Sequence, residues 1–174
     1  MRVLLVGPDY EENLSIRYLS ASLQRAGHET VLATFNCFSD AESVIAAACH
    51  ADIVGLSMCF QSRALEFLRL ARAIKSCAPH KLIVAGGHYA SCAAEPLLAN
   101  HPEIDVIVLH EGEGTLIETA NAMPRLNEHL PGIAGIAYRD GTQVRFTERR
   151  RTVDDLDSLA FPDRRGPIRS IAGV

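Results

Sequence analysis

Two histidines and two carboxylates each follow directly on an apolar run, and so fall where a strand would end. They are His88, after Gly86-Gly87, and His110, Glu111 and Glu113 in the run His110-Glu111-Gly112-Glu113-Gly114. Imidazole ligates metals and hydrogen-bonds polar groups, so His88 or His110 could coordinate a metal or bond a ligand edge; the alternative is a polar loop residue facing solvent. Glu111 and Glu113 have the form of an acid–base pair, but no nucleophile stands beside them in sequence, which favours hydrogen-bonding or turn roles. Cys37, Cys49, Cys59, Cys77 and Cys92 are separated by 12, 10, 18 and 15 positions, so no CxxC or CxxxCxxC spacing exists to build a zinc site or an iron–sulfur cluster. Their mostly apolar neighbours read as small core residues of a reducing cytoplasm.

The elements that must position these groups follow from the hydrophobic pattern. Apolar runs at residues 2–6, 29–34, 52–57, 81–85 and 105–109 alternate with helix-period segments, which predicts five βαβ-type strands. The first, third, fourth and fifth are continuously apolar, as strands buried on both faces are. Helices are expected from Ile16, Leu19 and Leu23 to a terminating Gly27, over 39–50 with a capping box of Ser39 and Glu42, over 62–76, over 93–100, and over 115–123 before Pro124. The fold class is α/β, a doubly wound five-stranded parallel sheet of the flavodoxin-like or Rossmann-like kind. Beyond Pro131 the pattern becomes two alternating strands, 135–139 and 143–146, around Asp140-Gly141: an antiparallel hairpin appended to the domain. The charged stretch of Arg149, Arg150, Arg151, Asp154, Asp155 and Asp157, with Pro162, Gly166 and Pro167, reads as a linker or extended tail. The expected division is 1–130, 131–147 and 148–174.

Composition narrows the function. The 174 residues, 48% hydrophobic and 22% charged, suffice for one core without disulfides or metals, and exclude a disordered chain. A net charge of −4, 6% aromatic residues and no Trp argue against a nucleic-acid partner. No apolar stretch approaches the roughly 20 residues of a membrane span, and the first apolar run ends at Pro8-Asp9, too early for a signal peptide. A cytoplasmic protein without membrane attachment is expected.

In a doubly wound sheet the ligand lies beyond the carboxyl ends of the strands. Those loops read Gly7-Pro8-Asp9-Tyr10, Ser57-Met58-Cys59-Phe60-Gln61, Gly86-Gly87-His88-Tyr89 and His110-Glu111-Gly112-Glu113-Gly114. A dinucleotide fingerprint would need three glycines after the first strand, where only Gly7 stands. A phospho-acceptor receiver would need an Asp in place of Ser57.

Four features, taken in order, resemble the cobalamin (B12)-binding domain found at the N-terminus of cobalamin-dependent radical S-adenosylmethionine (SAM) enzymes. They are Ser57 ending the third strand, Gly86-Gly87 ending the fourth, Glu111-Gly112-Glu113 after the fifth, and the hairpin leading into Asp154-Asp155-Leu156-Asp157-Ser158-Leu159-Ala160-Phe161-Pro162. The resemblance covers residues 1–165 and implies that cobalamin is the cofactor. Ser57 and the Gly pair would line the slot for its nucleotide tail, and the glycines would admit the flat corrin close to the backbone. Tyr10, Phe60 and Tyr89 would floor the corrin or pack on the core.

The chain departs from the wider family in two ways. The DxHxxG motif that carries a lower cobalt ligand is replaced by Asp9-Tyr10-Glu11-Glu12-Asn13-Leu14, which implies base-off binding without that histidine. His110 stands where the radical-enzyme branch usually has glycine, and His88 where it usually has proline. The resemblance implies a radical SAM catalytic domain as partner, in cis or in trans. That domain would hold S-adenosylmethionine and a 4Fe-4S cluster and carry out methyltransferase or related radical chemistry on a small-molecule substrate. The alternative is a domain of the same fold that has lost cobalamin and serves interaction or scaffolding. A small flavodoxin-like enzyme is a third reading, without a nucleophile–base pair to support it.

Overall fold

A parallel strand covered by helices on both faces needs apolar side chains at consecutive positions. The computed structural model describes residues 1–10, 12–123 and 125–164 and places strands on those runs. Buried along most of their lengths are β1 (Arg2–Gly7), β3 (Ile53–Ser57), β4 (Leu82–Gly86) and β5 (Val106–Val108). The less buried β2 (Glu29–Thr34) lies at the sheet edge. These five are parallel in the order β2-β1-β3-β4-β5, which puts the reversal of strand order between β1 and β3.

The hairpin is not an appendage. Its strands β6 (Ile136–Asp140) and β7 (Gln143–Phe146) continue the sheet, with Ile107 opposite Ala137 in an antiparallel pair. Among the described residues the sheet is therefore mixed and seven-stranded rather than five-stranded. Period-two alternation predicts that β6 and β7 pair with each other; it does not say that β6 also covers the open edge of β5. The two-residue connection is Gly141-Thr142, with Gly141 at φ +60°.

Helices α1 (Leu14–Arg25), α6 (Glu113–Ala122) and the short α7 (Leu126–His129) cover one face, where Ile16, Leu23, Leu116 and Leu126 pack on Leu5, Val84 and Val106. Helices α2 (Ala41–Cys49), α3 (Ala64–Cys77), α4 (His88–Cys92) and α5 (Ala94–Asn100) cover the other, where Val44, Phe67, Leu70 and Leu98 pack on Leu4, Val54 and Ile83. The amino end of α1 is capped by Asn13, whose Oδ1 accepts the Ile16 N–H at 3.4 Å. Its carboxyl end closes in a Schellman turn: Gly27, at φ +87°, donates to the Gln24 carbonyl, and His28 donates to Leu23.

Three further expectations are corrected. Asp40, not Ser39, anchors the start of the second helical segment: its carboxylate accepts the N–H groups of Asn36 (2.8 Å) and Cys37 (3.2 Å), while the Ser39 hydroxyl meets the Cys37 thiol. The segment after β4 holds an additional short helix, α4, beginning at His88. Cys37, Cys49, Cys77 and Cys92 are exposed and Cys59 is half-buried, so apolar sequence neighbours did not place these thiols in the core. They occupy helix ends and loops, where a side chain's exposure is set by tertiary position.

Residues 148–164 run back over the domain. Gly135 donates its N–H to the Glu148 carbonyl, Arg150 bonds Thr115 (2.7 Å) and Glu118 on α6, and Arg25 bonds the Ser158 carbonyl (2.8 Å). The Asp163 carboxylate accepts from Ser20 and Gln24 of α1, and its carbonyl accepts from the buried Arg17 at 2.9 Å. Of the basic run, Arg150 is thus an intramolecular anchor. The rest of the expected tail, including Gly166 and Pro167, lies outside the described residues, as do Glu11 and Pro124.

Candidate functional site

Parallel neighbours in register point to the same face, so one small residue per strand at the same level leaves a gap against the covering helices. At the carboxyl ends that level holds Gly7, Ser57 and Gly86, with Ser57 in register with Gly86. A Cβ on Gly7 would stand 3.2 Å from the Ser57 Cβ and 2.8 Å from the Asn13 amide nitrogen. One pleat lower, Gly55 sits between Leu5 and Val84 in register. The result is a cleft of about 710 Å³ between this part of the sheet and α1 and α6, opening at the reversal of strand order. That volume falls within the ~300–1,000 Å³ of ordinary small-molecule sites.

Two left-handed backbone conformations stand at the mouth. Gly87 lies at φ +99°, and a Cβ there would come within 3.1 Å of the Met58 carbonyl carbon and oxygen, so any other residue is both strained and crowded. His110 lies at φ +58°, the left-handed region, and is the non-glycine residue found there among the described residues. Its N–H donates to the Ser91 hydroxyl at 3.0 Å, which ties the loop after β5 to α4. Glu111, also at the mouth, accepts the Val153 N–H at 2.8 Å. The imidazoles of His88 and His110 are exposed at the rim.

Nine of the residues selected from sequence line this cleft: Ser57, Cys59, Gly86, Gly87, His88, His110, Glu111, Gly112 and Glu113. Gly7 backs its wall. The rest of the first loop turns toward the loop after β2: Asp9 donates its N–H to the Asn36 side chain, the Tyr10 hydroxyl donates to the Asn36 carbonyl, and the Pro8 carbonyl accepts from Asn13. Met58 is buried in the core of the opposite face, and Tyr89 packs against that core. Phe60 is 64% exposed and Gln61 is also exposed; neither lines the cleft. Leu5, Gly55, Val84, Ile16 and Leu116 line it without having been singled out. Of these, Gly55 carried a signal: a glycine inside an apolar strand marks a close backbone approach or a missing side chain. The others read as ordinary core.

Among the described residues no group of three or more His, Cys, Asp or Glu side chains converges to hold a metal ion. No helix among them is long and apolar enough to cross a membrane. The site therefore offers an apolar slot, a backbone-lined mouth and a rim of two imidazoles and two carboxylates.

A family model for the B12 binding domain matches residues 3–120. An uncharacterized methyltransferase of Pyrococcus horikoshii is 29% identical over 177 residues, covering 93% of this chain and 38% of the relative. An anaerobic magnesium-protoporphyrin IX monomethyl ester cyclase of Synechocystis is 27% identical over 173 residues, covering 90% of this chain and 34% of the relative. The chain thus spans little more than a third of the length of these two proteins. Among solved structures, the cobalamin-dependent S-adenosylmethionine radical enzyme OxsB in its apo form has a domain of the same fold, with a TM-score of 0.67, 22% identity, and coverage of 92% of this chain and 24% of that one.

Proposed function

The chain belongs to the B12-binding domain family, and from that premise we propose that it holds cobalamin base-off as the cofactor module of a radical SAM enzyme catalysing methyl transfer or related radical chemistry. The observation that carries this reading is the cleft itself. It opens beside Gly86-Gly87 and Gly112, and it deepens between β1, β3 and β4, where Gly55 and Ser57 present no bulky side chain to exclude a threaded tail. The donor set fits a neutral, amide-rimmed ring: His88, His110 and Ser91 supply side-chain donors at the rim, and among the described residues no cluster of ligating side chains competes for the metal.

When bound, cobalamin supplies a cobalt-centred carrier of the transferred group. This chain's residues bind and orient it. Gly87 and Gly112 admit the corrin edge, Ser57 lines the tail slot, and His88 and His110 meet the polar periphery. The first loop supports base-off binding, because Asp9 and Tyr10 are committed to Asn36 and no histidine is offered in place of a DxHxxG ligand. S-adenosylmethionine and the 4Fe-4S cluster belong to a radical SAM catalytic domain, in keeping with the absence of CxxxCxxC here.

The test is an absorption titration of the chain with hydroxocobalamin and methylcobalamin, followed by desalting. Retained colour with a base-off spectrum is expected. Colour lost from a chain that circular dichroism shows folded would overturn the reading in favour of a cobalamin-free interaction module. Replacing His88 and His110 together by Ala should leave the bands unchanged; altered bands would instead make one of them a cobalt ligand.

A further inference from the structure

The cleft is two-sided in chemistry. Its rim carries His88, His110 and Glu111, whereas its floor is made by Leu5, Gly55 and Val84 on the sheet and by Ile16 and Leu116 on α1 and α6. Leu5, Val84, Ile16 and Leu116 are 1%, 3%, 6% and 3% exposed. The peptide groups of Leu5, Gly55 and Val84 lie in the parallel ladder, with strands paired on both sides of each. The buried side-chain polar atoms without partners among the described residues belong to Ser22 and His101, neither of which lines the cleft. The hydroxyl of Ser57 stands one pleat nearer the mouth, and Tyr18 lies on the flank of α1 shared with the exposed Leu14 and Ser15.

A base at the end of a cobamide's tail that reaches this floor must leave its outer edge unpaired. We propose that the floor selects the lower base of the cofactor, accepting a benzimidazole with apolar edge substituents over a purine carrying an exocyclic amine, and that Gly55 is the specificity-determining residue. This rests on the cobalamin reading. A hydroxyl or amine forced into an apolar pocket without a partner is rejected only moderately, so the discrimination expected is on the order of 10- to 100-fold. Gly55 sets the depth: a Cβ there would stand 2.9 Å from a Leu5 methyl, so any larger side chain fills the floor or pushes Leu5 into it.

The experiment compares binding of three corrinoids with the same upper ligand, read by absorbance, each affinity corrected for the cost of detaching that corrinoid's own base from cobalt in buffer: cobalamin, its adenine-bearing counterpart, and cobinamide, which has no base. Expected are tightest binding of cobalamin and affinities lower by about 10-fold or more for the other two. Gly55→Val should remove the advantage of cobalamin while leaving cobinamide affinity unchanged, and Tyr18→Phe should leave the order intact. Equal binding of the adenine form would overturn the selection, with cobalamin binding itself upheld. Equal binding of cobinamide would show that the tail does not use the floor, again overturning the inference alone. Binding of none of the three would sink both the inference and the function it rests on.

Discussion

Glu111 and Val153, 42 residues apart in sequence, are joined at the rim of the cleft: the carboxylate accepts the backbone N–H at 2.8 Å. The same side chain that edges the cleft therefore fixes the path of the segment that crosses α6 and α1. Glu111→Ala should free this stretch locally without unfolding the domain. A hydrogen bond to a charged acceptor contributes roughly 1.5–3 kcal/mol when sheltered, and the exposure of Glu111 reduces this to about 1 kcal/mol. Amide hydrogen exchange at Val153 should accelerate by about fivefold; unchanged exchange would mean that the contact contributes nothing in solution.

His110 holds a left-handed conformation that glycine adopts freely. An L-residue there costs about 1–2 kcal/mol, and glycine returns about 0.5–1 of that through the entropy of the unfolded chain. His110→Gly is expected to leave stability unchanged or raise it by up to about 1 kcal/mol in urea unfolding, whereas His110→Val lowers it by at least about 1 kcal/mol. A destabilising His110→Gly would reveal that the imidazole makes contacts of its own.

At Gly87 both sterics and dihedral oppose a side chain, since φ is +99° and Met58 backbone lies within 3.1 Å of the missing Cβ. Gly87→Ala should cost about 2–3 kcal/mol, seen as a lowered urea midpoint with unchanged slope. Gly141, also at positive φ but with nothing within 4 Å, is the control: alanine there should cost only about 1 kcal/mol.

Arg150 inserts beside Gly114 and Gly135, with the buried Thr115 hydroxyl accepting at 2.7 Å. Its ion pair with Glu118 is partly exposed and contributes little by itself. The loss in Arg150→Ala comes from unmade packing and from the bond to the Thr115 hydroxyl, which keeps only its donation to the Ala134 carbonyl, about 1–2 kcal/mol. Arg149→Ala and Arg151→Ala, at exposed neighbours, should change stability by less than about 0.5 kcal/mol. Thermal unfolding of the three variants side by side would show whether one arginine is singular.

Local chemistry made much of this structure legible. The strand over 29–34 is read from sequence with the bounds it has in the fold, and Gly27 ends its helix through a Schellman turn because only a residue tolerant of positive φ closes that turn. The four strand-end loops were found because a doubly wound sheet must present them on one side, and three of the four contribute residues to the cleft. What sequence concealed was long-range. Arg150 reads as one member of a charge run because its partners, Thr115 and Glu118, are 35 and 32 residues away. The hairpin reads as separate because alternation reports pairing within it and not the edge of β5. Leu5 and Val84 read as core, which they are, while also flooring a cleft that exists only because Gly55 lies between them.

The pinning of residues 148–164 to α1 and α6 changes what counts as one transplantable piece. A graft cut after the hairpin at residue 147 would strip the lid from Arg17 and leave Thr115 and Glu118 facing an empty socket. The smallest piece that keeps these contacts therefore extends through Asp163, whose carboxylate is held by Ser20 and Gln24.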